Sequence, residues 1–126
     1  RLKPDLCFLA FGMNDGSARV EPERFIRQIR GIMEAVRAEN PDCEFVLVST
    51  MLPNAEVKGF YGLQKDYLPG LLALQGCGCA VADMTSLHEA LLNRKRYEDM
   101  TGNNVNHPND FLSRVYAQLM LRTLEA

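Results

Sequence analysis

"FLAFGMNDGS", residues 8 to 17, decides how this chain is read. An apolar run ends at Gly12, and two polar side chains, Asn14 and Asp15, come at once after it. Taken back to its start, the run is "DLCFLAF" (5–11), apolar almost throughout. A run of that kind predicts a strand covered on both faces, as in a parallel sheet. Glycine then turns the chain, and the turn presents an amide and a carboxylate at the carboxyl end of the strand.

The later segments alternate between two kinds. In "EPERFIRQIRGIMEAVRAEN" (21–40), Phe25, Ile26, Ile29, Ile32, Met33 and Val36 recur at helical spacing, with arginines and glutamates between them as a solvated face. Pro22 suits a first helical position, and Asn40-Pro41 ends the helix. "CEFVLVSTM" (43–51) reads as a second buried strand, and "LPNAEVKGFYG" (52–62) as the loop after it. "LQKDYLPGLLALQG" (63–76) predicts a helix kinked or restarted at Pro69. "CAVADM" (79–84) predicts a short third strand. Ser86 and Glu89 form a capping-box pattern for a helix through about Arg94. After the polar loop "YEDMTGNNVNH" (97–107), a last helix is expected from Pro108, with Phe111, Val115, Tyr116, Leu119, Met120 and Leu124 as its stripe. The order β-α-β-α-β-α-α indicates an α/β domain on a parallel sheet. Ligands of such sheets bind beyond the carboxyl ends of the strands. Those ends carry Gly12 to Asp15, the Leu52-Pro53-Asn54 loop and Asp83.

At 126 residues the chain has room for one domain. The formal net charge of −2 gives no basic excess for nucleic acid, and no apolar run is long enough to span a bilayer. The chain begins with Arg1 and enters a strand almost at once, which reads as a piece of a longer chain and leaves the compartment undecided. Cys7 and Cys43 sit in or beside strand-like runs, where a thiol packs as a small hydrophobe. Cys77 and Cys79 form a C-G-C read as a turn into the third strand, since no second Cys/His pair accompanies it. With two histidines and no third convergent ligand, no metal site is expected.

Two polar clusters carry the chemistry: Gly12 to Asp15, and "NNVNHPND" (103–110). His107 stands just before a helix opening, where the positive end of the helix dipole disfavours an imidazolium and suits the ring to a general base. Each cluster alone also fits a plain turn or a helix cap. His88, inside a helix, reads as a surface or packing residue.

Together, and in this order, the clusters resemble two sequence blocks of the SGNH hydrolase superfamily, the GDSL-type esterases and lipases. "GMND" is similar to that family's G-x-N-D block, and "NVNHPND" to its D-x-x-H block. The resemblance implies a flavodoxin-like three-layer α/β/α fold. Residues 1–126 would be the C-terminal portion of one such domain, its last three strands with flanking helices. It implies ester hydrolysis by a serine nucleophile without metal or organic cofactor. Asn14, in the turn opened by Gly12, would donate to the oxyanion, His107 would be the base, and Asp15 and Asp83 would be structural at the site.

The chain departs from that pattern in two ways. The G-D-S serine and the second-block glycine are absent, and Ser17, Ser49, Ser86 and Ser113 lack the context of a nucleophile. In the family those blocks precede this segment, so the chain alone is expected to be inactive and its parent an esterase. The missing strands would leave "DLCFLAF" with an open apolar edge, which favours self-association or a companion segment. Second, Asn104 replaces the acid three residues before His107. Asn104 itself or a backbone carbonyl would orient the imidazole of a Ser-His dyad, or Asp110, Asp99 or Asp83 would take over, or activity would be low or lost. The expected substrate is a small-molecule or carbohydrate ester, with a carboxylesterase or deacetylase reaction, and Phe60 and Tyr61 either line its pocket or pack in the core. The alternative is a non-catalytic α/β ligand-binding module that keeps the fold. A nucleotide-binding domain fits less well, since neither G-x-G-x-x-G nor a P-loop occurs.

Overall fold

Strand β2 (Glu44–Val48) sets the architecture, because its side chains alternate between two apolar layers. Phe45 and Leu47 face one side of the sheet, Val46 and Val48 the other. β1 (Leu6–Leu9) and β3 (Cys79–Ala82) flank it, both parallel, in the order β1-β2-β3. The register places Cys7 opposite Phe45, and Phe45 opposite Cys79. The computed structural model describes residues 2–126.

One face is covered by α2 (Pro22–Glu39) and α3 (Leu68–Ala73), which bring Phe25, Ile29, Met33 and Leu71 onto Phe45 and Leu47. Phe25 stacks on Tyr67 with ring centroids 4.1 Å apart. The other face is covered by α5 (Asp110–Glu125), whose Tyr116, Leu119 and Met120 lie on Val46, Val48 and Ala82. α4 (Met84–Leu92) joins α5 in a second apolar cluster around Met51, Met84, Met100 and Leu112. The result is an α/β domain with a three-strand parallel sheet between helical layers.

Several local expectations are corrected. β1 is not covered on both faces. Cys7 and Leu9 pack toward α2, but Leu6 and Phe8 are 37% and 42% exposed, because α5 lies over β2 and β3. Ser86 does not cap α4. Asp83 does, its Oδ1 accepting from Ser86 N at 2.9 Å, while Glu89 is used in an ion pair with Lys65. α5 begins at Asp110 rather than Pro108, and Asn109 is its cap, with Oδ1 accepting from Leu112 N at 3.1 Å. Residues 64–67 form a 3₁₀ turn, and α3 restarts with Pro69 in its first turn. Arg37 leaves the solvated face of α2: its guanidinium lies over the Phe45 ring and donates to the Cys43 and Gly78 carbonyls. All four cysteines are free, and burial pushes the Cys43 and Cys79 thiols up from their ordinary value. Among the described residues, no helix is long and apolar enough to cross a membrane.

Candidate active site

The turn after β1 is built on Gly12. Its φ of 119° lies where side-chain-bearing residues are strained, and an added Cβ would sit 3.4 Å from the Tyr67 ring. The next residues form a single helical turn, α1 (Met13–Ser17), not an open turn. Asp15 closes it by accepting from Gly12 N at 3.2 Å, and Gly16 N donates to the Gly12 carbonyl at 2.9 Å. Asp15 thus acts on the backbone of the turn. Asn14 is exposed, and its side-chain amide forms no hydrogen bond with any described residue. That amide is free to meet a ligand.

The turn is held from beneath by Gln64, a buried polar side chain. Its Nε2 donates to the Met13 carbonyl at 3.0 Å and to the Phe60 carbonyl at 2.8 Å, and its Oε1 accepts from Gly62 N at 2.8 Å. Gly16 permits this approach: a Cβ there would come within 2.5 Å of the Gln64 side chain. Phe60 and Tyr61, candidates for a pocket wall or the core, are 38% and 42% exposed and belong to neither.

The second cluster is a tight loop around Asn103. Its Oδ1 accepts from the backbone N–H groups of Val105, Asn106 and His107, each at 3.0 Å. Its Nδ2 donates to Asn106 Oδ1 at 3.0 Å. His107 Nδ1 lies 2.6 Å from Asn106 Oδ1 and 2.9 Å from Asn103 Nδ2. The loop is fastened to the segment after β2. Asn54 N donates to the Val105 carbonyl at 2.8 Å, and Asn54 Nδ2 to the Asn104 carbonyl at 3.0 Å. The Tyr97 hydroxyl lies within hydrogen-bond distance of the Leu52 and Val105 carbonyls.

None of the four candidate side chains reaches the imidazole. Asn104, with φ 54°, turns its side-chain oxygen toward Asn54 Nδ2 at 3.4 Å. Asp110 is the first residue of α5 and forms no ion pair with His107. Asp99 pairs with Arg96, which holds its carboxyl below the ordinary value. Asp83 caps α4 and does not line the cavity shared by Asn14 and His107.

That cavity has a volume of about 460 Å³ and lies beyond the carboxyl ends of β1 and β2. Ala10, Thr50, Met51, Asn106, Ser113, Tyr116 and Met120 complete much of its wall. The Tyr116 hydroxyl accepts from Met51 N at 2.7 Å, and burial pushes its phenol up to about 12, so it stays protonated at neutral pH. Among the described residues, no three His, Cys, Asp or Glu side chains gather as a metal site.

Two segments from opposite ends of the sequence thus line one cavity, Asn14 from the first and His107 from the second. The chain matches the GDSL-like Lipase/Acylhydrolase family over residues 1–114. It belongs to that family. Searches among curated proteins and among solved structures found no match. Membership in the GDSL-like family makes the chain part of an acylhydrolase-type enzyme lineage.

The asparagines that meet the imidazole, Asn103 and Asn106, escape spacing-based reasoning. "NNVN" signals a turn, but only the folded loop shows which asparagine faces the ring. Gln64 carries no sequence signal at all, being one polar residue in a helical pattern.

Proposed function

We propose that this chain carries the oxyanion donor and the histidine base of a serine-dependent ester hydrolase of the carboxylesterase or deacetylase type. In this reading residues 1–126 are the C-terminal portion of one domain. The nucleophilic serine is supplied by a preceding segment of a longer polypeptide, added at the open edge of β1. His107 takes the serine proton as the hydroxyl attacks the ester carbonyl, then returns a proton to the leaving alcohol. Asn14 donates its side-chain N–H to the oxygen on which negative charge develops. The observation that carries the reading is the shared cavity of Asn14 and His107. A donor with no protein partner and an exposed imidazole face the same space.

The substrate is proposed to be a small ester, with an acetylated carbohydrate as one candidate. A cavity of about 460 Å³ suits a compact acyl group and part of an alcohol. A second reading, a ligand-binding module without catalysis, is favoured by the lack of any carboxylate on His107.

The two are separated by treating the natural longer polypeptide with a fluorophosphonate probe and assaying it on p-nitrophenyl acetate. The esterase reading expects one labelled serine upstream of Arg1, loss of hydrolysis on labelling, and no hydrolysis by the 126-residue chain alone. An unlabelled, inactive polypeptide that still binds an ester analogue would overturn it in favour of the binding module.

A further inference from the structure

We infer that an asparagine pair, Asn103 and Asn106, takes the place of a carboxylate as the positioning group of His107 and fixes its ring as the Nδ1–H tautomer. Three backbone N–H groups converge on one terminal atom of the Asn103 side chain, each at 3.0 Å. A backbone N–H can only donate, so that atom is the amide oxygen. The other terminal atom is therefore the NH₂ group, and it lies 3.0 Å from the Asn106 side chain. Two NH₂ groups facing each other would oppose donor to donor, so Asn106 presents its oxygen. That oxygen stands 2.6 Å from His107 Nδ1. At this distance an unprotonated nitrogen would set lone pair against lone pair. Nδ1 therefore carries the hydrogen and donates it. Asn106 Oδ1 has two lone pairs, one for the imidazole and one for Asn103, so Asn103 Nδ2 and Nδ1–H, 2.9 Å apart, both donate to that oxygen and not to each other. The neutral ring then has its free lone pair on Nε2, which forms no hydrogen bond with any described residue.

The same geometry defines what happens when Asn106 is removed. Asn103 Nδ2 lies 2.9 Å from His107 Nδ1 and becomes the only group facing it. A donor there calls for a bare Nδ1, so the hydrogen moves to Nε2. Nε2–H cannot accept a serine proton. Asn106 thus acts by competing with Asn103 for the nitrogen between them.

The value of this arrangement to catalysis rests on the esterase reading, but the tautomer is measured without turnover. The experiment is a long-range ¹H–¹⁵N spectrum of the protein labelled at its histidine ring nitrogens. It is recorded at a pH where the His107 ring is neutral, with the signal assigned through the His107→Ala variant. The wild type is expected to show a protonated Nδ1 and a bare Nε2. Asn106→Ala is expected to invert the pattern, and Asn106→Asp, which keeps an acceptor, to preserve it. An unchanged backbone amide spectrum away from residues 103–107 marks each variant as folded. A wild-type ring protonated at Nε2, or a ring unchanged in Asn106→Ala, would overturn the inference. In the longer polypeptide, Asn106→Ala is further expected to lower kcat with KM little changed. The loss would approach the roughly 10⁴-fold that a wrong tautomer costs a serine protease, and Asn106→Asp would restore activity. If hydrolysis is absent altogether while the tautomers behave as described, the esterase reading fails and the asparagine pair stands.

Discussion

The two turns that meet in the cavity are held by different physics. The turn at Gly12 is closed by Asp15 and fixed from beneath by close packing on a buried amide. Its glycine takes a φ of 119°, Gly16 rests against a buried glutamine, and the supporting side chain has no titratable group. The loop at Asn103 is fixed by polar contacts on an exposed surface, and its anchor reaches an ionisable residue. Val105 is held by Asn54 and Tyr97. Tyr97 also faces the Leu52 carbonyl, and Leu52 N donates to His88 Nδ1 at 2.9 Å. The buried support beneath the Gly12 turn therefore does not titrate, although Asp15 closes the turn itself, whereas the Asn103 loop leans on a buried histidine.

The largest effects separate the turns by chemistry. On the proposed esterase reading, His107→Ala in a longer polypeptide that supplies the serine should lower kcat on an acetyl ester by roughly 10²- to 10⁴-fold, the usual share of a general base. Asn14→Ala should lower it by about 10²- to 10³-fold, or about 3 to 4 kcal/mol of transition-state stabilisation. KM should change little in both, because neither group is asked to bind the ground state. A rise in KM with kcat intact in Asn14→Ala would make the first turn a binding feature and break the comparison.

The next effect belongs to the second turn alone. His88 is fully buried, and burial lowers it from 6.5 to about 4. Its Nδ1 is occupied as an acceptor, and its Nε2 is buried without a hydrogen-bond partner, tilted against the Tyr97 ring. The unfolded ring takes a proton near pH 6.5, whereas the folded ring resists until about pH 4. The unfolded state therefore binds the additional proton between those values, and stability falls as pH drops through that window. The slope approaches about 1.4 kcal/mol per pH unit for this one group. Urea titrations across the window should show it, and His88→Asn, which keeps an acceptor for Leu52 N, should remove most of the difference. An unchanged slope in His88→Asn would mean that the carboxylates carry the acid response instead.

How far these features could be read from sequence depends on how local their causes are. β2 was legible because a run buried on both faces is apolar at every position, and the period of α2 was legible because Phe25, Ile29 and Met33 face one core. Asn14 reaches its cavity by the rule that parallel strands carry their loops to one edge, whereas His107 arrives on the connection between α4 and α5, which that rule does not place. β1 misled because its composition reports what its strand tolerates, not which helix happens to cover it. The cap of α4 misled because Asp83 and Ser86 both suit an N-cap, and only the register of the first turn decides between them. The orienting partner of His107 was out of reach for a similar reason. Asn103, Asn104 and Asn106 are chemically the same side chain, and the backbone of the loop sorts them: Asn104, at φ 54°, is turned away to Asn54.

The smallest effect tests the first turn's support. Gln64→Ala would leave Gly62 N without its acceptor and leave the Met13 and Phe60 carbonyls with only the Ser17 hydroxyl between them. Losing a satisfied buried amide costs about 1 to 3 kcal/mol, and that loss should be nearly flat with pH, unlike the one tied to His88. Gln64→Glu sharpens the point. A carboxylate keeps the acceptor for Gly62 N but turns the other oxygen toward the Met13 and Phe60 carbonyls, acceptor against acceptor, with the Ser17 hydroxyl as the one donor it meets there. Its protonated form restores one donor there. Gln64→Glu should therefore regain stability as pH falls, over the range where the wild type loses it through His88. Chemical denaturation of both variants at two pH values reads the sign directly. If Gln64→Ala proved as stable as the wild type while turnover fell, Gln64 would be aiming Asn14 rather than holding the turn. The packing at Gly16 would then be its main support.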